Sequence, residues 1–138
     1  MSTLWVTNIQ DTSGSNSSTT DEIYSGRAKA WVNFNGILVT NPGSETGIRS
    51  DFNVAHVTDN GSGDYTITFD TAFDNADYMW TGSYMSTSNL TITRSLQLHR
   101  PTSTTITDPT TSNIRVTATD FFNLNPTDQK YVTLIVYA

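Results

Sequence analysis

The chain has 138 residues, enough for one domain whose core needs no staples and too few for two. It has no cysteine, which excludes disulfides and thiolate metal sites, and its net charge of -6, with five scattered arginines and two lysines, argues against a nucleic-acid face. Charged residues make up 14% of it against about 25% in an ordinary soluble domain; Thr, Ser and Asn take their place and suit pleated sheet.

The N-terminus, "MSTLWVTNIQDTSG", lacks the basic-then-apolar pattern of a secretion signal, and no run approaches the roughly 18 apolar residues of a membrane helix. Within it, "TLWVTNI" (3–9) predicts a short strand with Leu4, Val6 and Ile9 packing on a neighbouring surface. The polar stretch "QDTSGSNSSTTD" (10–21) cannot form a core and reads as a linker or a surface-laid arm. A terminal strand set apart in this way pairs with another chain or with a distant part of its own. "DEIYSG" (21–26) predicts one helical turn, capped by Asp21 and ended by Gly26.

Beyond Gly26 the pattern is β throughout. In "RAKAWVNFNG" Ala28, Ala30, Val32 and Phe34 alternate with Arg27, Lys29, Trp31 and Asn33. "FNVAHVTD" (52–59) and "DYTITFD" (64–70) predict two strands, with Tyr65, Ile67 and Phe69 on one face, and the "NGSG" between them is a hairpin turn. A calcium loop would need ligands where Gly61 and Gly63 stand, and a phosphate loop would need a lysine and a following helix. "LTITRSLQL" (90–98) alternates Leu90, Ile92, Leu96 and Leu98 against polar residues, with Arg94 the misfit. "NIRVTATD" (113–120) and "YVTLIVYA" (131–138) complete the set; the last is apolar on both faces and suits a covered, central strand. Short strands at this spacing predict an all-β fold, an antiparallel, jelly-roll-like β-sandwich over 27–138 with an extended N-terminal arm over 1–26.

Little in the chain asks for catalysis. His56 and His99 lack the close spacing of a zinc site and the context of a nucleophile triad, so both read as structural. Asp70, Asp74 and Asp77 could pair as acid and base for glycoside hydrolysis, but the turn-forming reading outweighs it. No catalytic residue, metal ligand or cofactor is assigned. Among Trp31, Tyr78, Trp80, Tyr84, Tyr131 and Tyr137, alternation places some rings outward, and two or three of them belong at a subunit or ligand contact.

Two stretches, "GRAKAWVNFNG" and "IRSDFNVAHVTDNGSGDYTITFDTAFDNADYMW", resemble a module of tail fibre proteins from marine and cyanobacterial bacteriophages. The upstream "VTNIQDTSGSNSST" is similar to the segment that often precedes it, and the resemblance covers residues 4–80 well. It departs in "ILVTNPGSETG" (37–47), which stands where the family has a shorter loop, and in the short stretch ahead of the module. The resemblance implies a non-enzymatic virion surface protein, a homotrimeric β-rich knob at a fibre tip. Recognition of a host surface glycan or outer-membrane protein is then expected on loops, at Asn41, Glu45, Tyr84, Asn89, Arg100 and Asn113. Attachment to other virion proteins is expected through the arm, at Leu4, Trp5, Val6 and Ile9, with no nucleic acid and no membrane insertion. A capsid decoration or head-fibre protein is the alternative.

Overall fold

A computed structural model of the chain describes residues 5–14, 17–85, 93–100, 105–119 and 125–138. In chain order they form β1 (Asn8–Gln10), β2 (Ser17–Thr19), α1 (Thr20–Gly26), β3 (Ala30–Phe34), β4 (Ile48–Phe52), β5 (His56–Gly61), β6 (Asp64–Thr68), β7 (Met79–Met85), β8 (Thr93–Ser95), β9 (Gln97–Leu98), β10 (Asn113–Thr117) and β11 (Tyr131–Tyr137). A ribbon joins β1 to β2, a four-stranded sheet runs β5-β6-β10-β9, and a five-stranded sheet runs β4-β3-β11-β7-β8. Every strand pairing is antiparallel. The fold is the all-β sandwich that the alternating runs predict.

The core follows from that alternation. Ala30, Val32 and Phe34 of β3 and Val132, Leu134 and Val136 of β11 are buried on one sheet, facing Tyr65, Ile67, Ile114 and Val116 of the other. Phe34 and Tyr65 meet between the sheets edge to face, centroids 5.2 Å apart. Each large side chain buried this way contributes about 1.5–3 kcal/mol, so a one-residue slip that turned Trp31 and Asn33 inward would cost most of the core. β11 is central as expected, and its other face, with Ile135 opposite Trp31 and Thr81, is covered by no described element.

Two predicted strands turn out to be corners. The run 52–59 breaks at Asn53, whose φ of +55° carries the chain from β4 in one sheet to β5 in the other. Asparagine tolerates that left-handed conformation, and here its side chain is held by bonds to Lys29 and Thr71, far from it in the chain. The run 90–98 crosses in the same way from β8 to β9. Leu96 is buried at the crossing, and its amide donates to the Gly82 carbonyl at 2.9 Å. A Cβ on Gly82 would lie 2.6 Å from the Leu96 side chain, so the glycine makes the crossing possible. Leu90 and Ile92 lie outside the described residues.

The hairpin at 59–64 forms as a turn, with Gly61 at φ +135° and Gly63 at φ +64° beside a bulge at Asn60. Its tip is docked: Gly63 donates to the Asp128 carboxylate at 2.7 Å and its carbonyl accepts from Ala118 at 2.7 Å. The loop at 37–47 is docked too. Thr40 and Ser44 bridge to Thr58 and Val57, so this loop covers the edge of β5 that would otherwise stand open.

The N-terminal stretch is more ordered than a linker. Ser17–Thr19 returns to pair with Asn8–Gln10, and α1 begins one residue before Asp21. Its cap is Thr19, not Asp21. Thr19 accepts from the Glu22 amide at 3.1 Å while the Glu22 carboxylate accepts from the Thr19 amide at 2.7 Å. No residue of β1, β2 or α1 is buried.

Candidate functional site

The residues expected at a receptor contact are dispersed. Asn41 and Glu45 are exposed on the loop against β5, Arg100 is exposed after β9, and Asn113 is half-buried at the start of β10. Tyr84 must be removed from the surface. It occupies an inward position of β7 opposite Val132, is 3% exposed, and its hydroxyl accepts from the Thr119 amide at 3.2 Å. Asn89 and Leu4 lie outside the described residues. Trp5, Val6 and Ile9 are exposed, Trp5 by 90%, and do not pack on the sandwich face as an ordinary strand would.

Sequence reasoning set aside the stretch that lines a cleft. Between α1 and the corner at 69–78 lies an opening of about 810 Å³, lined by Tyr24, Arg27, Lys29, Phe52, Asn53, residues 70–75, 77 and 78, and Ala138. Its floor is rigid. Phe69, Phe73 and Tyr78 form a three-ring cluster with centroids 4.6–5.9 Å apart. The Tyr78 hydroxyl reaches the carbonyls of Thr110 and Asn113, at 3.1 and 3.2 Å, and burial pushes its pKa up to about 12. Asn53 ties three segments: its amide nitrogen donates to the carbonyls of Lys29 and Thr71, and its oxygen accepts from the Thr71 amide at 2.7 Å.

On one wall the Lys29 ammonium bonds the Tyr24 carbonyl and sits 3.1 Å from the centre of the Tyr24 ring. Desolvation, and then the neighbouring Arg27 charge, lower the Lys29 pKa. On the other wall Asp70, Asp74, Asn75 and Asp77 are exposed. No hydrogen bond or ion pair within the described residues engages the carboxylate of Asp70, Asp74 or Asp77. The apolar enclosure that makes a general acid of a carboxyl is built around none of them.

A second carboxylate lies in a smaller cleft of about 310 Å³ and is fully engaged. Asp64 takes Arg115 in a bidentate pair, Nε to Oδ1 at 2.9 Å and Nη2 to Oδ2 at 2.7 Å, and His99 Nδ1 lies 3.3 Å from the same Oδ2. The pair holds the Arg115 pKa above its ordinary value. His99 thus stands beside the Asp64–Arg115 pair and lines the same cleft. Among the described residues no three His, Asp or Glu side chains converge as a metal site would require.

The signal that could have found the cleft was present in "FDTAFDNADY": acidic residues alternate with rings, a pattern that turns and ligand walls share. What the chain alone hides is that α1 forms the opposite wall. Compared with family models, curated proteins and solved structures, the chain matches none.

Proposed function

We propose that this is a bacteriophage virion surface protein, the receptor-binding knob of a tail fibre, which adheres to the host cell surface and catalyses no reaction. The observation that carries the reading is the cleft at 69–78: exposed rings and unengaged carboxylates on a rigid sandwich, within the stretch that resembles the fibre module. Asp70, Asp74 and Asp77 lie exposed at this cleft, which favours binding there over acid–base hydrolysis. The knob assembles as a homotrimer through the outer face of the five-stranded sheet, where Trp31, Met79 and Tyr131 are exposed. The arm, with Trp5, Val6 and Ile9, seats on another virion protein.

Immunogold labelling of intact virions tests the assignment. Label at fibre tips, with purified protein blocking adsorption to host cells, is the expected result. Label spread over the head would overturn it in favour of a capsid decoration protein, a reading that the exposed apolar arm also suits. Light scattering should return about three times 15.2 kDa, and a monomer would remove the trimer.

A further inference from the structure

We propose that the cleft between α1 and the 69–78 corner is a sugar site, and that it takes a neutral or amino-bearing glycan and rejects acidic polysaccharide. The inference rests on the adhesive reading and narrows it to one place and one ligand class. Its chemistry comes from the lining. A pyranose presents an apolar C–H face and a rim of hydroxyl donors. Tyr24, 61% exposed, Phe52, 49% exposed, and the half-buried Phe73 line the opening and offer it apolar ring surface, one face of Tyr24 being taken by the Lys29 ammonium. Asp70, Asp74 and Asp77 are acceptor-only groups with every lone pair unclaimed by the described chain, which is what a donor-rich rim requires.

Charge selects among sugars. Three carboxylates line the cleft against two cations, and the Lys29 ammonium is already engaged by the Tyr24 carbonyl and ring. A uronate or sialate would meet this wall with like charge, whereas an ammonium on an amino sugar would be attracted. Of the side-chain donors in the lining, the Asn53 amide is committed to Lys29 and Thr71, whereas Arg27 and Asn75 are left to serve a ligand's acceptors. At about 810 Å³ the opening has the size of a small-ligand site, and the fixed floor means little is lost in ordering it on binding.

Titration of the full chain with three sets of oligosaccharides would test this: neutral glucans, glucosamine oligomers and uronate oligomers, followed by calorimetry or chemical-shift mapping. Neutral or amino oligomers should bind, uronates should not, and shifts should centre on residues 70–77. Asp74→Asn should weaken binding about tenfold, and Phe52→Ala, an exposed position, should do so independently of any loss of fold. Ser62→Ala, exposed on the 59–64 hairpin and outside the cleft, should leave affinity unchanged. Tighter binding of uronates, binding insensitive to both cleft variants, or binding of a lysine-rich peptide in place of sugars would overturn the proposal. The two readings fail separately. Protein that coats host cells without competition from any sugar set sinks the sugar site alone, whereas sugar binding in the cleft with no adhesion to cells sinks the adhesive reading.

Discussion

Asp64 and the trio Asp70, Asp74 and Asp77 are separated by only a few residues, yet the fold treats them oppositely. Asp64 is 9% exposed and saturated by Arg115 and His99; the trio is exposed and unengaged. The difference lies in what the neighbouring strand delivers. β10 places Arg115 beside β6, where Thr66 is its register partner and Asp64 lies on the same face, while the corner at 70–77 leaves the sheet and receives no cation from a ladder. Asp64 is used up by the fold, and among the described residues the trio at the corner is left for something else.

The largest effect should come from breaking the engaged member. Asp64→Ala strands Arg115 and His99 and should cost about 2–4 kcal/mol by denaturant unfolding, less than for a fully buried pair because Arg115 is a third exposed. Asp74→Asn should stay within about 0.5 kcal/mol on the same assay, and equal losses at the two positions would erase the contrast.

Tyr78 sharpens it from below the cleft. Tyr78→Phe removes the hydroxyl proton shared between the Thr110 and Asn113 carbonyls and should cost about 1 kcal/mol. Its folded pKa of about 12 lies above the ordinary value of 10, so its contribution is complete below pH 10 and is lost as the pH rises from 10 through 12. Thermal melts across that window should fall more steeply for the parent protein than for the phenylalanine variant.

The smallest effect belongs to α1. Hydrogen bonds from Thr19 lower the Glu22 pKa, so the capping box holds above the ordinary glutamate range and is lost as the pH falls through the lowered value. Glu22→Gln should reduce this helix signal at neutral pH and leave the melting temperature of the sandwich unchanged. A loss of sugar binding in the same variant would show that α1 is a working wall of the cleft.

Most of the sandwich was legible because period two reports burial directly: Val32, Phe34, Tyr65 and Ile67 were placed by alternation alone. The corners were not, because a strand that changes sheets keeps its alternation, and neither Asn53 nor Leu96 breaks the pattern as a proline would. The site was legible as residue types but not as a site. Tyr84 looked like a loop-edge aromatic and is core; Asp74 looked like punctuation and stands at an opening whose far wall is about fifty residues earlier in the chain.

The place of β11 has a consequence for how the protein is made. It lies between β3 and β7, yet every other strand of its sheet precedes it in the chain. Until residues 131–137 leave the ribosome, the β3–β4 and β7–β8 pairs are two half-sheets with a missing middle, each offering an unpaired edge to whatever strand arrives first. The five-stranded sheet therefore cannot close before its last strand is made. A nascent chain stalled before position 131 would be a strand acceptor, and crowded polysomes are where such acceptors find the wrong donor.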